Sequence, residues 1–140
     1  MENNMEVVNQ LYPSEQQMNA LTDNPNSGEN HLLNLFKFRD KAQYADGRET
    51  ELTGVEAYHL YGQPMLSVLE KYGAEVVFYS EVTGLILGQV DDLWDACVIV
   101  KYPSRQALLD MTSCEEFQAL SVHREAGLEG QLNIETRVPK

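Results

Sequence analysis

Residues 31–39 read His31-Leu32-Leu33-Asn34-Leu35-Phe36-Lys37-Phe38-Arg39, apolar almost without a break. Such a run marks a β-strand covered on both faces, because a half-wetted strand alternates apolar with polar positions. Its interruptions fall on opposite faces. Asn34 shares a face with Leu32, Phe36 and Phe38, whereas Lys37 shares the other with Leu33, Leu35 and Arg39. These polar groups therefore cannot all face one cavity: either Asn34 points into it, or Lys37 and Arg39 do.

Outward from this strand the pattern alternates. Residues 40–51 are polar and read as a loop, with Asp46-Gly47 as a turn. Thr53 and Glu56 form a capping box that opens a helix reaching about Tyr72, with Tyr58, Tyr61, Met65, Leu69 and Tyr72 on one face. Pro64 lies inside it and predicts a kink near Gly62. Val76 to Val82 is a second strand, and Leu85-Ile86-Leu87 a short further one. Trp94 to Tyr102 is a third, ended by Pro103. Ser104 caps a short helix through Met111, and Ser113 a longer one that runs to Gly127. Leu132 to Arg137 alternates as a final strand.

The order strand, helix, strand, strand, helix, strand predicts an α+β, ferredoxin-like βαββαβ domain over residues 31–140. Its sheet would be antiparallel, with helices on one face. The other face would be bare yet apolar, which in this setting calls for a partner, and a homodimer through the sheet faces is expected. Residues 1–30 form an acidic arm, with five of the 22 acids and none of the ten bases. Ser14 and Gln17 box a short helix there, and Met18 and Leu21 give it an apolar side for packing on the domain.

The formal charge of −12 argues against nucleic acid and against anionic membrane surfaces. Absence of a basic, apolar leader, of a spanning segment and of a disulfide framework makes a cytoplasmic location the expectation. Cys97 reads as a small hydrophobe and Cys114 as a thiol at a helix start. His31, His59 and His123 make no metal-ligating spacing, and there is no nucleophile elbow, phosphate loop or dinucleotide motif. No metal or cofactor is expected.

Three motifs in order, Asn34 to Arg39, Tyr102-Pro103-Ser104-Arg105, and His123-Arg124 followed by Leu128-Glu129, resemble a bacterial family classed as a domain of unknown function (the thirteen-thirty family). Trp94-Asp95 and the helix from Thr53 to Gly73 are similar to its pattern as well. The resemblance implies membership of the dimeric α/β-barrel superfamily, with two protomers' sheets facing each other. Relatives in that superfamily include cofactor-free monooxygenases, lactone isomerases, dehydratases and haem-binding enzymes, so it offers chemistries without choosing one.

Helical spacing puts Arg124 in the middle of the stripe formed by Phe117, Leu120 and Leu128, and His123 on its flank. A guanidinium so placed either ties the helix into an ion pair or clamps a carboxylate or enolate. His123 is the candidate acid or base, its pKa depressed if Arg124 is close, or else a structural histidine. Asn34, Lys37 and Arg39 are candidate ligand contacts, although Lys37 could simply pair with Glu81 or Asp95. Tyr58 and Trp94 read as core or interface aromatics whose polar tips could orient a ligand. Two functions remain: a pocket for a small anionic or polar-aromatic molecule with cofactor-free proton-transfer or oxygenation chemistry, or a non-catalytic ligand-binding or structural dimer.

Overall fold

The computed structural model describes residues 7–139, so the readings on Glu2 and Glu6 of the acidic arm lie outside the described residues. The elements are α1 (Glu15–Asp23), β1 (Asn30–Phe38), α2 (Gly54–Lys71), β2 (Glu75–Glu81), β3 (Ala96–Tyr102), α3 (Arg105–Ser113), α4 (Glu115–Gly127) and β4 (Leu128–Thr136). Cap chemistry sets most helix starts. Ser14 with Gln17 and Thr53 with Glu56 close complete capping boxes, and the Ser104 hydroxyl accepts from the Ala107 amide.

The strands form one four-stranded sheet in the order β2-β3-β1-β4, with every neighbouring pair antiparallel. This is the ferredoxin-like βαββαβ arrangement, with α3 and α4 sharing the second helical connection. The sheet is open and does not close into a barrel within the chain.

Period two sorts the strands into a covered and an open face. Leu32, Phe36, Val98, Val100 and Tyr102 pack against Tyr58, Met65, Val68, Leu69 and Met111 from the helices. Asn34 is on this covered side and buried. The opposite parity leaves Leu33, Leu35, Cys97, Ile99, Leu132 and Ile134 on the open face, where Leu35 lies between Cys97 and Leu132. No helix among the described residues packs against them, and Ile134 is 43% exposed.

The N-terminal segment lies along the edge of the sheet. Gln10 bridges to Gln131, Leu11 packs against the core, and the Gln106 amide donates to the Pro25 carbonyl at 2.8 Å. Helix α1 buries none of its residues. Arg105 reaches its C-terminal carbonyls at Ala20 and Asn24, and pairs with Glu135 through two hydrogen bonds of 2.7 and 2.8 Å. No helix among the described residues is long and apolar enough to cross a membrane.

Several local expectations need correction. Leu85-Ile86-Leu87 is no strand but part of the β2–β3 loop, with Ile86 99% exposed. Trp94 and Asp95 precede β3 rather than join it, and the Asp95 carboxylate accepts from the Phe38 amide at 2.8 Å. Cys114 rather than Ser113 caps α4: its Sγ accepts from Phe117, while the Ser113 hydroxyl donates back to Leu109 and closes α3. Strand β4 starts at Leu128, directly from the helix. Helix α2 contains Pro64 without a break, in agreement with the continuous helix expected there; the residue one turn earlier, Leu60, is 46% exposed, on the solvent side of the helix.

Candidate functional site

Arg124 projects from α4 beneath the N-terminal segment. Its Nη2 donates to the Leu11 carbonyl and to Gln131 Oε1, each at 2.6 Å. The Gln131 amide passes the connection on, donating to Asn34 Oδ1 at 2.8 Å. Asn34 in turn donates to the carbonyls of Leu32 and Val98 within the sheet. The Tyr12 ring lies over the guanidinium, 5.6 Å from Cζ, a cation–π distance.

No carboxylate among the described residues pairs with Arg124, so two neutral oxygens receive a largely buried charge. Burial holds its pKa below the ordinary arginine value. Tyr58 and Tyr61 flank the site, their rings 5.5 Å apart. Burial pushes both phenols upward and keeps them protonated, and the nearby positive charge of Arg124 only partly offsets this. The result is a cation, two neutral phenols and two side-chain amides gathered under the Leu11–Tyr12 backbone. This can hold an anion by charge-assisted hydrogen bonds.

His123, the next residue along α4, points elsewhere. Its Nδ1 is 2.6 Å from the Tyr44 hydroxyl, and Arg48 lies over the Tyr44 ring at 4.5 Å. Arg48 pairs with Asp46, whose carboxyl drops to about 2. The His123 pKa is lowered first by burial and then by Arg48, not by Arg124. A histidine lowered in the folded state binds fewer protons there than in the unfolded chain. Its stabilising contribution is therefore complete above 6.5, the ordinary value, and is lost as pH falls through the folded value. Melting curves taken from pH 7.5 down to 5 should show wild type losing more stability than His123→Gln; parallel slopes would contradict this.

The remaining candidates are spread out. Lys37 is held by Asp92 at 3.1 Å, the Leu93 carbonyl at 3.0 Å and Asp95 at 3.5 Å, so it anchors the β2–β3 loop. Arg39 lies past the end of β1 and contacts Gln43 at 3.4 Å. Both line a shallow groove of about 510 Å³ with Lys41, Asp95 and Glu129. Trp94 is half-buried beside that loop. Tyr58 is in the core, its ring 4.9 Å from Phe36. Of the sequence candidates, the structure brings together Arg124, Asn34 and Tyr58. Gln131, Leu11 and Tyr12 complete the group and were not singled out, since an unremarkable glutamine and a tail carry no motif.

Comparison with known proteins follows the same lines. The sequence matches the family described as "Domain of unknown function (DUF1330)" over residues 35–136. The chain belongs to this family. RPA0582, a protein of unknown function from Rhodopseudomonas palustris, is similar at 29% identity, covering 95% of this chain and 99% of its own, with a TM-score of 0.84. The methylated RPA0582 protein superposes at 0.85 with 32% identity, covering 96% of this chain and 98% of its own. A dabb family protein with a ferredoxin-like fold from Mesorhizobium loti shares the fold at a TM-score of 0.51 and 13% identity, over 81% of this chain and 99% of its own. No curated protein matches the sequence. Family membership thus comes with a fold and without an assigned activity.

Proposed function

We propose that this protein is a homodimer, joined through its open sheet faces, that binds a small organic anion at Arg124. The supporting observation is the largely buried guanidinium whose described partners are neutral oxygens. Stranding a charge in this way costs several kcal/mol unless an anion compensates it. Gln131 and Asn34 orient the guanidinium, and the protonated phenols of Tyr58 and Tyr61 are further donors. His123 is committed to Tyr44, so anion binding does not require it. The apolar open face supports the dimer, because a bare sheet of this kind is a surface for association.

Arg124→Met tests the anchor. It keeps the bulk of the side chain and removes a desolvated cation, which offsets the two acceptors left at Leu11 and Gln131, so the fold should lose no more than about 1–3 kcal/mol. Affinity for carboxylate probes, read by calorimetry, should fall about tenfold to a hundredfold, the range of a lost charge-assisted hydrogen bond. Equal affinity in both proteins would remove Arg124 from the reading.

A second reading adds chemistry to the same site. A guanidinium beside phenols held protonated by burial is suited to stabilising an enolate oxygen. Exchange of a bound ligand's α-proton with deuterium, faster in wild type than in Arg124→Met, would support it; identical exchange would leave binding alone.

A further inference from the structure

The group seated on Arg124 is part of the chain itself. The Leu11 carbonyl oxygen occupies one Nη2 position at 2.6 Å, and the Tyr12 ring covers the guanidinium. Together they present an oxygen acceptor joined to an aromatic ring through the Tyr12 amide nitrogen, Cα and Cβ. The bond from the guanidinium to a neutral peptide carbonyl lacks the attraction between two full opposite charges, which a carboxylate would supply together with a bidentate fit. The occupant is therefore one that a better-charged molecule of the same shape can replace.

The segment is also lightly held. Its bridge to the sheet, from the Gln10 amide to the Gln131 carbonyl, is 3.4 Å long. Tyr12 is 56% exposed, with Val7 and Val8 at 52% and 60%, and α1 behind it buries no residue. Firmer attachments come only further along, at Pro25 to Gln106, and at Ser27 to Arg137. Between the strap and these anchors, the hydrogen bonds that join α1 to the domain among the described residues are the 3.4 Å contacts of Ala20 and Asn24 with Arg105. Moving the strap off Arg124 costs the Gln10 bridge and the packing of Leu11 against the core, and leaves the other backbone hydrogen bonds of the sheet in place.

We infer that Leu11 and Tyr12 are a built-in ligand mimic, a strap that occupies the anion site until an arylalkyl carboxylate displaces it. This rests on the reading of Arg124 as an anion anchor. The carboxylate takes the place of the Leu11 carbonyl, and the aryl group takes that of the Tyr12 ring. Short aliphatic acids lack the ring, and neutral amides of the same shape lack the charge, so both compete poorly with the strap.

The test uses the full chain, with 4-phenylbutanoate, acetate and 4-phenylbutanamide titrated into wild type, Tyr12→Ala and Arg124→Met. Calorimetry reads affinity, and amide NMR signals of Gln10, Leu11 and Tyr12 read the strap. The expected result is selective binding of 4-phenylbutanoate, about two- to fivefold tighter in Tyr12→Ala, the value of one lost cation–π contact. Saturation should also free the Gln10 amide to exchange with solvent. Equal or weaker affinity in Tyr12→Ala with unmoved strap signals, while Arg124→Met still loses binding, would overturn the strap and leave the anion anchor standing. Equal binding of the acid and its amide would overturn the ligand class. No binding of any probe to wild type or Tyr12→Ala would overturn both the strap and the anchor.

Discussion

Gly127→Ala should lower stability by about 3 kcal/mol, at the upper end of overpacking costs, and drop the melting temperature by roughly 10 °C. The reason is a junction where three elements converge on backbone. The Arg39 amide donates to the Gly127 carbonyl at 2.9 Å, and the Gly54 amide donates to the Arg39 carbonyl at 3.1 Å. A Cβ on Gly127 would stand 2.3 Å from the Gly54 carbonyl oxygen and 2.8 Å from the Tyr58 amide nitrogen. Neither is the flexible end of a side chain, so α2 and α4 must separate or the end of β1 must lose its hydrogen bonds. Gly54→Ala meets the Arg39 carbonyl at 2.0 Å and should be at least as damaging. Both φ angles are negative, so the demand is for space and not for a left-handed backbone. Gly84→Ala is the control: nothing lies within 4 Å, and its effect should stay within about 0.5 kcal/mol. Circular dichroism melts of the three variants check the ranking. A Gly127→Ala protein as stable as Gly84→Ala would refute the close approach.

Leu35→Asp should convert the proposed dimer to a monomer while leaving the protomer folded. Leu35 lies between Cys97 and Leu132 at the centre of the open face, away from Leu32 and Phe36 in the core. In the free protomer the aspartate meets water and costs little. In the face-to-face dimer it would be desolvated without a partner, at roughly 3 kcal/mol or more, a loss of over a hundredfold in association. Sedimentation at micromolar concentration should give about twice the 15.9 kDa chain mass for wild type and the chain mass for the variant. Wild type at the chain mass would sink the dimer. A dimeric Leu35→Asp would move the interface to another surface.

These two predictions draw on information of different kinds. That Leu35 and Asn34 occupy opposite faces is legible in residues 31–39, because strand geometry alternates regardless of context. Which face the helices cover is not legible there, since both are apolar. The capping boxes at Ser14 and Thr53 are likewise local chemistry and read correctly. Leu85-Ile86-Leu87 is the converse case: an apolar run promises a strand only when something covers it, and here nothing among the described residues does. The close approach of Gly54 and Gly127 had no sequence signal beyond two glycines, because it joins residues distant along the chain.

The site divides along the same line. Helical spacing alone set Arg124 on the apolar stripe of α4 and His123 on its flank, since neighbouring residues diverge by about 100° around a helix axis. From sequence, then, Arg124 needed a partner, but the partner itself could not be named. Leu11, 113 residues earlier, reaches it through a backbone carbonyl, an atom every residue carries and no motif marks. The sequence by itself determined the helices and the four sheet strands, their order and the residue most in need of explanation, because these depend on local periodicity and cap chemistry. Only the tertiary structure decided which face is buried, that His123 turns to Tyr44, and that the N-terminal strap lies on the guanidinium. Those depend on contacts whose partners are fixed only once the sheet has assembled.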